Sequence, residues 1–209
     1  MILLIFSLVF GSITSSDVVK NFSDAAFAPA NNPIKITRVH YSADMDEMYS
    51  EYIYKDGDRI RIDADYGDTT VTTFVYDGKT GFSDGRALAK TSSLEAVLYG
   101  CSCGYLSGLE KASLSMYDGS NAVVVSGRQG NKLYLDYNTH LPFAYELKTK
   151  RVEFNDYKKL DGLGNIPYKV VISGNGETAE IIEIQDVRNE IPIQKNFFSV
   201  PKPKEKTLD

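Results

Sequence analysis

At 209 residues the chain is long enough to bury a sizeable core in one domain. Its net charge is −5, and 23 Lys and Arg are scattered among 28 Asp and Glu, so it offers no basic field for nucleic acid. Fourteen Tyr and 10 Phe, with no Trp, suit strands, where aromatic and β-branched side chains pack on a pleated surface.

Residues 1–16 differ from the rest. An almost wholly apolar stretch, 2–10, runs into the small and polar residues 11–16. That order predicts a secretory signal peptide cleaved near 14–16, and it is too short for a comfortable transmembrane helix. No Lys or Arg precedes the apolar run; the first is Lys20. No cysteine follows the expected cleavage point, so a lipid-anchored N-terminus is not indicated. The expectation is a periplasmic or otherwise extracytoplasmic protein. The alternatives are anchorage by an uncleaved N-terminal segment and a buried apolar segment of a cytosolic protein. Residues 17–201 read as a single β domain that opens with a short helix at 17–22, and residues 202–209 as a charged tail that frays.

Strands follow in quick succession from residue 34. The spacing predicts strands at 34–41, 47–54, 59–65, 69–76 and 80–83, then at 112–117, 122–126, 132–137, 143–148, 151–157, 168–173 and 177–187. Between them lie turn signals such as Asp77-Gly78, Asp118-Gly119 and Gly174-Asn175-Gly176, with glycine supplying positive φ. Alternation is clean at 59–65, with Ile60, Ile62 and Ala64 on one face and Arg59, Arg61, Asp63 and Asp65 on the other. At 143–147, Phe143, Tyr145 and Leu147 read as one face. Other strands are apolar on both sides: Phe74 opposes Val75, Val123 opposes Val124, and Ile181 opposes Ile182. Two apolar faces need two covers. A curved sheet enclosing an apolar cavity meets that need, and so do two packed sheets.

One stretch, 87–109, breaks the strand pattern. Ser92-Ser93-Leu94-Glu95 fits a capping box, Leu94, Val97 and Leu98 fall at i, i+3 and i+4, and Gly100 stands where a C′ glycine would stop the helix. About two turns cannot stand alone in water, so this amphipathic flap is expected to lie on the strands.

Sites of chemistry are weak. Lys79-Thr80 after Gly78 resembles the end of a phosphate-binding loop, but Thr73 stands where the loop's first glycine belongs. Gly104-Tyr105-Leu106-Ser107-Gly108 has the wrong spacing for a nucleophile elbow. His40 and His140 are the two imidazoles, and nothing pairs either with a serine. Asp63, Asp65 and Asp68 read as solvated turn acids, because Phe74 occupies the twelfth position of any calcium loop. Cys101 and Cys103 leave a strained disulfide, a pair of free thiols and a metal site open, with C-x-C not the usual zinc spacing. The expectation is no catalytic residues, no cofactor, no resident metal, and a structural or redox-passive cysteine pair.

Four places together resemble the periplasmic lipoprotein carriers and their outer-membrane receptors, the LolA/LolB-like superfamily. These are Phe74-Val75-Tyr76-Asp77-Gly78-Lys79-Thr80-Gly81-Phe82; the preceding strand with Arg61 after Ile60; the hairpin from Phe154-Asn155-Asp156-Tyr157 through Asp161-Gly162-Leu163 to Ile166-Pro167-Tyr168; and the ending Pro192 to Phe197-Phe198-Ser199-Val200-Pro201. The resemblance covers residues 34–201. It implies a mainly β fold, an antiparallel meander forming an unclosed half-barrel with a short helical lid, holding acyl chains in an apolar cavity. The implied lining is Ile60, Ile62, Val71, Thr73, Val75, Phe82, Leu133, Leu135, Phe143, Tyr145 and Leu147, with Leu94, Val97 and Leu98 as the underside of the lid. In the carriers a basic residue and a proline sit in the turn before the strand that here carries Arg61, and the basic residue helps hold the lid; Asp56 and Gly57 stand here, so that role does not transfer. The expected function is a monomeric, non-enzymatic binder of lipid or lipoprotein acyl chains. The rivals are an envelope sensor or scaffold that recognises a protein partner, and an enzyme acting on a small apolar substrate.

Overall fold

Tight turns set the architecture. Gly57, with φ +55°, and Asp58 close one hairpin; Asp118 and Gly119 close another, and Asn175 and Gly176 a third, with both turn residues left-handed in the last two. That geometry matches the right-handed twist of the flanking strands. The computed structural model describes residues 32–43, 47–83, 86–88, 109–127, 130–161 and 164–199. The expected signal peptide, the helix at 17–22, the flap residues Leu94, Val97 and Leu98, the cysteines Cys101 and Cys103 and the charged tail lie outside them.

The described residues form thirteen antiparallel strands: β1 (Ile34–Ser42), β2 (Glu47–Asp56), β3 (Arg59–Asp65), β4 (Thr70–Tyr76), β5 (Gly81–Ser83), β6 (Arg86–Leu88), β7 (Leu109–Tyr117), β8 (Ser120–Gly127), β9 (Lys132–Asp136), β10 (Pro142–Leu147), β11 (Lys150–Leu160), β12 (Gly164–Gly174) and β13 (Glu177–Asn189). They make one sheet in the order β6-β5-β4-β3-β2-β1-β13-β12-β11-β10-β9-β8-β7. The sheet is not closed: β6 and β7 end it without pairing to each other. Two wings, β1–β6 and β7–β13, meet where the first strand pairs with the last, from Ile34 opposite Asn189 to Ser42 opposite Glu180. The break in the strand pattern is narrower than the sequence suggests, because Ala87, Leu88 and Leu109 lie in strands.

One face of this sheet carries the core. Ile34, Ile36, Ile53, Ile60, Ile62, Phe74 and Tyr76 from the first wing cluster with Val123, Val125, Leu133, Leu135, Tyr145, Val152, Phe154, Ile166, Val170 and Ile182 from the second. Burying an aliphatic side chain of this size contributes about 1.5–3 kcal/mol, so this face dominates the stability of the sheet.

The outer face has two local covers, and the second of them accounts for the outward Val124 of β8 without a second sheet. Over the first wing, the C-terminal segment lays Phe197 edge-on to Tyr54 at 4.7 Å and Phe198 edge-on to Phe197 at 5.3 Å. Arg61 stacks on Phe197 at 4.6 Å and donates from Nη1 to its carbonyl at 3.0 Å, and Arg59 stacks on Phe198 at 4.9 Å. Over the second wing, Tyr117, Tyr134 and Phe143 pack on Ala122, Val124 and Ala144.

Candidate functional site

The core face is the candidate site, and it has two characters. Along β1, Ile34, Ile36, Arg38 and His40 alternate onto the same face, all buried. The aliphatic end continues through Ile53, Ile60 and Ile62. The other end is ionic. Arg38 donates from Nε to Glu51, which stands opposite it on β2. His40 lies with Nε2 3.4 Å from the same Glu51 oxygen and Nδ1 2.6 Å from Glu180 Oε1 on β13. Tyr49 stacks on the imidazole at 4.5 Å and brings its hydroxyl within 3.1 Å of Nδ1, and Tyr66 packs on Tyr49 at 5.1 Å.

Buried charges survive only when paired and hydrogen-bonded. Burial alone would raise the Glu51 carboxyl, but the Arg38 charge and the hydrogen bonds from His40 and Arg38 carry it down to about 2. For His40, burial opposes the charge, yet hydrogen bonds to Glu180 and Glu51 hold its pKa above the ordinary 6.5. Tyr49 is pushed up to about 12 by burial and by the neighbouring Glu51 and Glu180. The cluster therefore brings together the Arg38 guanidinium, a carboxylate at Glu51 and an imidazole between two acids. It offers hydrogen bonding and charge; among the described residues no three His, Cys, Asp or Glu side chains are grouped to hold a metal.

The structure sorts the expected lining into two groups. Ile60, Ile62, Leu133, Leu135 and Tyr145 do come together on the core face. Val71 is on that side, opposite Ala64, but half-exposed, and Leu147 is exposed at the end of β10. Four others, Thr73, Val75, Phe82 and Phe143, fall off that face because of bulges. Between β3 and β4 the register shifts, so that Ile62 faces Phe74 while Asp63 faces Thr72, which leaves Thr73 as the extra residue; its hydroxyl donates to the Ile62 carbonyl at 3.4 Å. Val75, paired with Arg61 and Phe82, therefore belongs with Phe82 to the outer face. Between β9 and β10, Leu135 faces Pro142 while Tyr134 faces Ala144, and the extra residue Phe143 joins the outer aromatic group instead of Tyr145. A slip of one residue reverses every side chain beyond it.

Asp63 is also misread from the sequence. It is a buried strand residue, accepting from Arg61 Nε at 2.9 and 3.0 Å and from the Thr72 hydroxyl at 2.7 Å. The ionic cluster at Arg38, His40, Glu51 and Glu180 is missed altogether. A signal existed: the apolar alternation Ile34, Ile36 continues into Arg38 and His40, placing charge on an inward face. At the Asp56-Gly57 turn, Asp56 pairs with Arg59 and Lys55 Nζ caps the Gly57 carbonyl at 2.5 Å, a local closure of the hairpin.

No protein-family model matches the sequence, and neither does any curated protein. Solved structures do match. A LolA superfamily protein from Nitrosomonas europaea superposes with a TM-score of 0.53 at 9% identity, over 90% of this chain and 99% of that one. The chain has the LolA-like fold. A DUF1329 family protein from Desulfovibrio piger gives 0.54 at 11% identity, over 88% of this chain and 95% of that one. An outer-membrane lipoprotein-sorting protein domain from Vibrio parahaemolyticus gives 0.55 at 9% identity, over 89% and 96%. At these identities the likeness is one of fold. It makes the open thirteen-strand sheet a LolA-like half-barrel, and the core face is the inner surface of that half-barrel.

Proposed function

We propose that this LolA-like protein is an extracytoplasmic, carrier-type binding protein that sequesters lipid or lipoprotein acyl chains against the inner surface of its half-barrel, with no chemical step. One observation carries the reading: in a fold shared with a lipoprotein-sorting domain, the inner surface presents a continuous run of aliphatic and aromatic side chains across both wings, including Ile60, Ile62, Leu133, Leu135 and Tyr145. Removing acyl surface from water is favourable by about 25 cal/mol per Å², which is drive enough for binding without polar recognition. The ionic cluster at one end would then meet the polar part of an amphiphile. Export fits this role, and Edman or mass analysis of the mature N-terminus tests it.

A second reading, an envelope scaffold or sensor that works as a monomer on a protein partner, is favoured by the closeness of packing: Ile53, Val125, Leu135 and Ile166 are fully buried. One experiment separates the two. Protein purified without detergent is measured by native mass spectrometry and titrated with a fluorescent fatty acid. Co-purified lipid, or saturable probe binding weakened by Leu133→Glu in protein that still folds, supports the carrier. Neither lipid nor probe binding by the wild type removes it and leaves the scaffold.

A further inference from the structure

The outer face of the second wing carries a feature that sequestration of acyl chains does not use. The bulge at Phe143 and the small side chain of Ala144 leave a hollow of about 340 Å³ beside the aromatic group, bounded by Tyr117, Asp118, Ser120, Arg151 and Asn155. Tyr117 and Phe143 meet edge to face at 5.3 Å, and the Arg151 guanidinium sits 5.0 Å over the Tyr117 ring. A second, more polar hollow of about 690 Å³ adjoins it toward the β10–β11 turn and shares Arg151 and Glu153 as a common wall, with Lys132, Ser173 and Asn175 on its sides.

Two polar atoms in this wall are orphaned. Tyr117 Oη and Arg151 Nε are buried, and neither has a hydrogen-bond partner among the described residues. Buried polar atoms in native structures are nearly always satisfied, and Arg Nε can only donate. Among the described residues nothing meets them, and the partner that the Arg151 Nε–H calls for is an acceptor oxygen. Arg151 Nη2 is committed, 2.7 Å from Glu153 and 3.5 Å from Asp118. Charge narrows the occupant further. Lys132, Lys148, Lys150 and Arg151 line the two hollows together with Asp118, Asp136, Glu146 and Glu153, four positive against four negative. Such a balance favours neither a polyanion nor a polycation.

We infer that the two hollows form a binding groove for a neutral oligosaccharide, one ring seated against Tyr117 and Phe143 and the chain continuing past Arg151 into the polar hollow. A sugar ring meets each demand. Its C–H face packs on aromatic rings, its hydroxyl or acetamido oxygens accept from Arg151 Nε and from the Tyr117 hydroxyl, and its own hydroxyls donate to Asn155, Ser120 and Glu153. A pocket with an apolar floor and a few convergent polar groups is the usual form of a small-molecule site.

The test uses the full chain with the tetramer of N-acetylglucosamine and with maltotetraose, read by saturation-transfer NMR and calorimetry. Dextran sulfate and a basic peptide serve as charged comparators. At least one tetramer should bind saturably. Tyr117→Phe removes a single hydroxyl, and the loss of one hydrogen bond should weaken binding about three- to tenfold. Asn155→Ala should do the same, and Met48→Ala, exposed on the other wing, should change nothing. Tyr117→Phe should melt no lower than the wild type, since the hydroxyl it deletes is unpaired. Absence of saturable binding by both tetramers, equal affinity in all three variants, or tighter binding of either charged comparator would each overturn the inference.

Discussion

Glu51 is the residue whose replacement the structure judges most sharply. Its carboxylate is nearly buried, pairs with Arg38 and faces His40. Its pKa falls from an ordinary 4.5 to about 2. That depression corresponds to about 3 kcal/mol of preference for the charged form in the folded state. Glu51→Gln keeps the shape and deletes the charge, leaving the Arg38 guanidinium buried beside a neutral amide. Breaking a buried pair from one side typically costs about 3–5 kcal/mol. At about 2–4 °C per kcal/mol for a chain of this length, the melting temperature should fall by roughly 6–20 °C at pH 7. The double variant Arg38→Met with Glu51→Leu, which removes both charges, should recover most of the loss. The sign with pH follows from the depressed pKa: the Glu51 contribution is fully present above about 4.5 and is lost as pH falls toward about 2. Circular dichroism melts from pH 2.5 to 7 should show the wild-type acid limb flattened in Glu51→Gln. A melting temperature within 2 °C of wild type (about half a kcal/mol), with an unchanged acid limb, would refute the view that this cluster is a buried, energetically coupled ion network.

His40 predicts the opposite pH dependence. Its pKa is raised in the fold, so its contribution is full below about 6.5 and is lost as pH rises through the higher folded value. Melts between pH 5.5 and 8.5 should show that decline in the wild type and not in His40→Gln, and an imidazole Cε1 proton titrating below 6.5 by NMR would contradict it. Ile53→Ala opens a cavity under a fully buried strand residue and should lower the unfolding free energy by about 2–5 kcal/mol in urea titrations. Phe198→Ala strips the outer cover from Arg59 and should cost about 3 kcal/mol, with the amide protons of β3 and β4 exchanging faster than those of the second wing.

The strands and hairpins were legible because their signals are local. Alternation in β3 and the Asp-Gly and Asn-Gly turns are decided by neighbours in the chain, and they stand where expected. Ile60, Ile62, Leu133 and Leu135 reached the core face for the same reason. What failed was non-local. The extra residues Thr73 and Phe143 are bulges set by the partner strand, and no pattern within β4 or β10 announces them. Gly164-Asn165-Ile166-Pro167 has a turn's composition, yet it extends β12 because Lys158 and Lys159 on β11 pair across from it. The ionic cluster draws Arg38 and His40 from β1, Glu51 from β2 and Glu180 from the far end of the chain, so its satisfaction could not be read from any one strand. The resemblance at the hairpins and at Phe197-Phe198 anticipated the fold that the superposed structures share, and those aromatic residues serve it as the clasp on the outer face.

The pairing of β1 with β13 sets a timing for the biogenesis of this protein. Every other neighbouring pair in the sheet follows directly in the chain, so each wing can assemble hairpin by hairpin as it emerges. The seam cannot. Ile34 waits for Asn189, and until then β1 presents an open hydrogen-bonding edge with His40 lacking Glu180. Closing so long a loop is slow, and an unpaired strand edge is a template for wrong partners. A chain stalled or truncated before β13 would therefore hold a complete first wing with an adhesive margin, and the last thirteen-residue strand is the element that covers it.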